Sequence, residues 1–118
     1  MIVDMHYHFM RWPADEQRAR NMVAGWLNHA AIAGIKKSVD EVMPLYRESI
    51  NDPDGDNLVK RMDASGIDVT VLNIVDNIDF GFDNERILRI NQYCAQAAAK
   101  HPERLIALAG IDPRRAEA

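Results

Sequence analysis

The 118-residue sequence contains a single cysteine, Cys94, and that scarcity closes off two architectures at once. One thiol makes neither an intrachain disulfide nor a cysteine-built zinc cluster, so the chain is not a disulfide-stapled secreted scaffold, and a reducing compartment suits it. No apolar run approaches the roughly 20 residues of a membrane-crossing helix. Met1 leads straight into Ile2-Val3-Asp4, without the basic start and apolar stretch of a secretory leader. Positive charge is scarce too: Lys+Arg 14 against Asp+Glu 18 leaves a net charge of -4, with no basic cluster of the kind that binds nucleic acid or anionic lipid. Together these absences predict a cytoplasmic protein with neither a nucleic-acid nor a membrane partner. What is present, 47% hydrophobic and 27% charged residues, is an ordinary globular balance that supports one domain with a modest core.

The first ten residues carry the densest chemistry. They read as an apolar, strand-like run with histidines at alternate positions, His6 and His8. Successive strand side chains point to opposite faces and each residue rises roughly 3.3 Å, so these two share a face with α-carbons about 6.6 Å apart. Two imidazoles at that separation can converge on one metal ion. By the same period Asp4 falls in phase with the histidines, while Val3, Met5, Tyr7 and Phe9 fall on the other side. His6 and His8 are therefore the candidate metal ligands; a hydrogen-bonded pair at a sheet edge is the plainer alternative.

Beyond the strand, residues 13–51 read as helical. Met22, Val23, Trp26, Leu27, Ala30 and Ala31 recur at helical spacing opposite Arg18, Arg20, Asn21 and Asn28, and Gly34 is placed to stop that helix. Ser38 offers an N-cap to a second helix bearing Val42, Met43, Leu45, Tyr46 and Ile50, with Pro44 expected near its first turn. The pair is either a cap over a pocket or a plain helical hairpin, with Trp12, Trp26 and Tyr46 as its packing aromatics. Asp52-Pro53-Asp54-Gly55 is a turn by chemistry, and Asp56 or Asn57 is expected to cap a helix that Gly66 closes in the left-handed conformation.

Residues 68–75 are β-branched and nearly continuously apolar, the pattern of a strand covered on both faces. A polar loop over 76–82 follows, then a helix from Asp83 or Asn84 to about Lys100, ended by His101-Pro102. Leu105 to Gly110 is a third strand, and 114–118 resembles the start of another helix. The order strand, helices, strand, helix, strand, with crossover-length connections, defines an α/β chain with a parallel sheet. His29 reads as a solvated or packing residue, His101 as a helix-terminal cation favoured by the macrodipole, and Cys94 as an inert small hydrophobe. Asn73, Asp76 and Asp112, at strand exits, read as caps and turns, and Asp4 as a structural or supporting residue rather than a ligand.

Three segments match a family in order. Val3-Asp4-Met5-His6-Tyr7-His8 resembles the first-strand signature of the amidohydrolase superfamily. Met62 to Leu72, through Gly66-Ile67-Asp68, is similar to the helix-to-strand segment of its amidohydrolase-related branch. Glu85 to Pro113, with His101-Pro102-Glu103-Arg104-Leu105 and Ala109-Gly110-Ile111-Asp112-Pro113, resembles the helix and strand that follow there. That branch includes the aminocarboxymuconate-semialdehyde decarboxylase-like enzymes, whose distorted (β/α)8 barrel carries a helical insertion after the first strand, where 13–51 lie here.

The resemblance implies a divalent metal, usually zinc, held by both first-strand histidines together with a histidine and an aspartate from later strands, and a further late histidine in catalysis. Only His6 and His8 have counterparts in this sequence. A barrel of this type takes roughly 250 residues, so the expectation is a single partial domain over 1–118: the amino-terminal portion of a TIM-type barrel, about three parallel strands, with 13–51 as insertion or cap. Such a chain is expected to lack a carboxy-terminal part or to associate as a homo-oligomer. The implied function is that of a metal-dependent hydrolase or carboxy-lyase acting on a small carboxylated or amide-bearing substrate through a metal-activated water. The alternative is a non-catalytic truncated α/β fragment that acts by oligomeric association.

Overall fold

The computed structural model describes residues 1–74 and 84–112. Its elements run β1 (Val3–His8), α1 (Glu16–Ile32), α2 (Val39–Ile50), α3 (Asp56–Ser65), β2 (Val69–Asn73), α4 (Asn84–Lys100) and β3 (Leu105–Ala107). All pairings are parallel and the sheet order is β1-β2-β3. Each strand lies beside its neighbour in sequence, as in a (β/α)8 barrel and unlike a doubly wound sheet, where the order reverses about the first strand. The fold is α/β, an open three-stranded parallel sheet corresponding to part of a TIM-type barrel.

By internal contacts the chain divides into two units, Met1–Met10 with Asp52–Ala118, and Arg11–Asn51. In the first unit Phe9, Leu58, Met62, Leu72, Cys94, Ala97 and Leu105 form the buried core between one face of the sheet and helices α3 and α4. The α3 N-terminus is capped from further upstream than the sequence suggested. Gly55 occupies the N-cap at φ 88 with no side chain to offer, and the buried Asp52 carboxylate accepts the N–H groups of Asn57 and Leu58 at 3.1 and 2.8 Å. At the other end Gly66, at φ 70, lets the Ile67 N–H return to the Met62 carbonyl at 2.9 Å, the expected left-handed stop.

Both later strands are shorter than their apolar runs. β2 ends at Asn73, and Val75, the loop 76–82 with Asp76, and Asp83 lie outside the described residues, as does the tail from 113 on. β3 stops at Ala107, although the Leu108 N–H still reaches the Leu72 carbonyl at 3.0 Å. The ladder ends because Asn91 of α4 takes over the backbone of Gly110, accepting its N–H and donating to its carbonyl, each at 2.9 Å.

The second unit is a pair of helices. Asp15 caps α1 through the Arg18 N–H, and Ser38 and Glu41 form a reciprocal capping box on α2. Pro44 is not near the first turn as expected: α2 begins at Val39, so it is the sixth helical residue. It is tolerated because the Asp40 carbonyl that it leaves without a donor belongs to an exposed turn, where water can take the place of the missing N–H. Ala19, Val23 and Met43 are buried, with Trp12, Trp26, Leu27, Val42 and Tyr46 packed against them; the Trp26 and Tyr46 ring centroids are 4.8 Å apart. Arg47 lies over the Trp12 ring and pairs with Glu16.

Candidate metal centre

Among the described residues strand β1 pairs with β2 alone, and its register is irregular. Val3 pairs with Val69, Asp4 with Thr70, Tyr7 with Leu72 and His8 with Asn73. Three steps along β1 from Asp4 to Tyr7 therefore oppose two along β2, which is the signature of a β-bulge holding one extra residue. Thr70 and Leu72 are two apart in a regular strand and share a face, so their partners Asp4 and Tyr7 share it as well. This overturns the alternation read from sequence. Asp4 does not follow the phase of the histidines; the bulge carries it to the helix-facing side, with Tyr7.

His6 and His8 do come together. Their Nε2 atoms are 3.0 Å apart, with ring centroids at 4.6 Å and ring planes at 85°. Both side chains are exposed, at the carboxyl end of the first strand, the end of a barrel sheet at which active sites are built. Two bonds of about 2.05 Å from one ion place their nitrogens roughly 2.9 Å apart at a right angle and 3.3 Å apart at the tetrahedral angle, so this spacing fits two cis ligands. The same distance accommodates an N–H···N hydrogen bond. The tautomers separate the two states: a hydrogen bond needs one ring protonated at Nε2, whereas two metal-ligating Nε2 atoms require both protons on Nδ1.

Among the described residues no third ligand joins them, and no group of three or more histidine, cysteine, aspartate or glutamate side chains is arranged to hold a metal ion. His29 is exposed in the last turn of α1. His101, beyond the end of α4, bonds through Nε2 to Asp56 at 2.9 Å and joins Lys100 and Asp54 in a polar cluster that ties α4 to the start of α3. Cys94 is fully buried, and burial pushes its thiol up from the ordinary value, in keeping with an inert packing residue. Asp112 is buried. An open groove of about 720 Å³ lined by Met1, Ile67, Asp68 and Arg104 lies at the opposite, amino end of the strands. There Arg104 is committed to Asp63 at 2.8 Å and to the carbonyls of Ile67 and Asp68, so that end serves cohesion.

Side chains grip the bulge from two sides. The Asp4 Oδ1 accepts the His6 N–H at 3.1 Å, and the Asn73 Nδ2 donates to the carbonyls of Met5 and Val71, each at 3.2 Å. Behind the strand, Arg61 donates to the Tyr7 hydroxyl at 2.8 Å. From the sequence Asn73 reads as a strand-exit cap. Its place beside His8 depends on register, which no local pattern encodes.

No family model matches the chain, and no curated protein matches it. Among solved structures it is similar to 5-carboxyvanillate decarboxylase from Novosphingobium aromaticivorans, crystallised with manganese and 4-hydroxy-3-methoxy-5-nitrobenzoic acid. The identity is 19%, the TM-score 0.57, and the match covers 97% of this chain and 34% of that one. A mutant of the same enzyme, also with manganese and the nitrobenzoic acid, matches at the same identity and TM-score over 35% of its length. The chain thus spans about a third of the length of these neighbours, and the likeness is one of fold. No helix among the described residues is long and apolar enough to cross a membrane.

Proposed function

We propose that His6 and His8 are the first-strand ligands of a divalent metal in an amidohydrolase-type site. The activity served is that of a metal-dependent carboxy-lyase or hydrolase on a small carboxylated or amide-bearing molecule. The observation that carries this reading is the convergence of the two Nε2 atoms to 3.0 Å at the carboxyl end of the first parallel strand. The folds it resembles support a carboxy-lyase: both neighbours are named as decarboxylases and hold manganese with an aromatic carboxylate. Manganese is therefore the first ion to test, alongside the zinc that the sequence motif suggests. A divalent ion held there supplies Lewis-acid polarisation of a substrate oxygen. The task of His6 and His8 is to present two neutral nitrogens at fixed separation, while the exposure of both rings leaves one side open to a small molecule.

One observation favours a second reading, a non-catalytic chain that acts through association: among the described residues only two ligands converge. Titration with manganese chloride and zinc chloride, followed by isothermal calorimetry, separates the two. Saturable one-site binding abolished by either His6→Ala or His8→Ala is expected, weakening as the pH is lowered because protons compete for the same lone pairs. Heat unchanged by both substitutions refutes the metal reading.

A further inference from the structure

We propose that Asn73 is the positioning residue of the histidine pair: its carboxamide clamps the β1 bulge to β2 and so sets the two imidazoles at their mutual distance. This rests on the reading of His6 and His8 as a functional pair. The extra residue between Asp4 and Tyr7 interrupts the backbone ladder, and a bulge without other support is free to slip by one residue. If the extra residue moves along β1 to lie between His6 and His8, the two rings turn to opposite faces, since residues two apart share a face only where the strand between them is regular.

Asn73 prevents it. Its Nδ2 reaches two acceptors, the Met5 carbonyl inside the bulge and the Val71 carbonyl of its own strand, both at 3.2 Å. Because both neighbours are carbonyl oxygens, only the amino end of the carboxamide can face them, and the orientation of the group follows from chemistry. Asn73 is also the register partner of His8, so the residue that ties down the bulge sits directly across from the second ring. The Asp4 carboxylate completes the grip by accepting the His6 N–H at 3.1 Å, which fixes the backbone on the near side of the first ring. Donor on one strand and acceptor on the other together leave the Met5-His6 segment one backbone conformation.

The test compares the full chain with Asn73→Leu, which keeps the branching and approximate size of the side chain and removes both donors. The primary readout needs no metal. In the unmodified protein, nuclear magnetic resonance is expected to show a ring-to-ring Overhauser contact between His6 and His8, and slow exchange of the Asn73 carboxamide protons. In Asn73→Leu the ring contact is expected to vanish while contacts among Leu72, Leu105 and Met62 persist, a split that a general loss of folding does not produce. Persistence of the ring contact in the variant overturns the proposal. Should Asn73→Leu fail to fold, the carboxamide protons of the unmodified chain decide: exchange as fast as that of a solvated asparagine overturns the proposal, and protected exchange with a contact to the Met5 α-proton upholds it. Manganese titration is the separate arm. Where the unmodified chain binds the ion, Asn73→Leu is expected to weaken binding 10- to 100-fold, the usual range for outer partners of a ligand, and equal affinity overturns the proposal. Where the unmodified chain does not bind manganese, the metal reading fails, and the ring contact alone decides the role of Asn73.

Discussion

Two glycines that bracket α3 share a backbone conformation and differ in surroundings, so substituting each separates strain from packing. Gly55 has φ 88 and Gly66 has φ 70, both left-handed. An alanine at either position loses about 1–2 kcal/mol to the clash between its Cβ and the backbone. At Gly66 nothing lies within 4 Å of an added Cβ, and the cost ends there. At Gly55 the new atom would stand 2.9 Å from Leu105 Cδ1 and 3.4 Å from Ala97 Cβ. Leu105 is 2% exposed and Ala97 0%, so neither can swing into solvent, and overpacking of such a site adds about 1–3 kcal/mol. Gly55→Ala is therefore expected to destabilise by about 2–5 kcal/mol and Gly66→Ala by about 1–2 kcal/mol. Both tryptophans, Trp12 and Trp26, belong to the 11–51 unit, which makes their fluorescence the wrong reporter. Urea titration followed by exchange protection of the Leu72 amide reads the correct unit. Equal losses at the two glycines would refute the packing argument.

The cluster of Asp54, Asp56, Lys100 and His101 gives stability two pH limbs. The hydrogen bond from Lys100 holds the Asp54 carboxyl below the usual range, and Lys100 followed by His101 does the same for Asp56, so their contribution is complete above about pH 3.9 and is lost as pH falls through the lowered values. Lys100 is held above its usual value by Asp54 and then Asp56, so its contribution is complete below about pH 10.4 and is lost as pH rises through the raised value; Lys100→Met should flatten both limbs of a urea-midpoint curve, and superimposable curves count against the cluster. Strands β1 and β3 each pair on one side only among the described residues, which leaves two open edges. Sedimentation equilibrium at tens of micromolar, on the order of concentrations at which exposed edges associate, is expected to show a homo-oligomer, and a monodisperse monomer contradicts it. The 118-residue chain is expected to be inactive on carboxylated aromatic and amide substrates even with added manganese or zinc, because catalytic sites usually fix three protein ligands. Turnover abolished by His6→Ala and by chelation would show that another copy supplies what is missing.

Much of the fold was legible because its signals are local. Ser38 with Glu41, Gly66 before Ile67, and His101-Pro102 after a long amphipathic run each specify an element boundary within a few residues of chain. The signals that failed act over longer spans. Asp52 caps a helix whose first residue is four further on, and the apolar run from Leu105 outlasts its strand because Asn91 of α4, 19 residues before Gly110, captures that glycine's backbone. Neither effect has a counterpart in propensity or period. Pro44 failed differently: with the helix starting after Ser38, as the sequence already indicates, proline stands at the sixth helical position and not at the first, which it prefers.

The histidine pair shows why a site can be partly visible in sequence and still be misread. A period of two places His6 and His8 on one face, and their rings do meet, although the register is regular only from Tyr7 to His8 and is broken between Asp4 and Tyr7, a stretch that includes His6. Extending the same period backward to Asp4 crosses that break and inverts the answer. An inserted residue is invisible in a run such as Asp4-Met5-His6-Tyr7, since neither glycine nor proline marks it. What identifies it is the partner strand, where Thr70 to Leu72 spans one residue fewer and Asn73 supplies the donor that the bulged Met5 carbonyl would otherwise lack. The ligand pair is thus written in β1, but the device that holds it is written in β2, 67 residues along from His6 at Asn73. A substitution in β2 that preserves hydrophobicity and strand propensity can therefore disturb the site without touching either histidine.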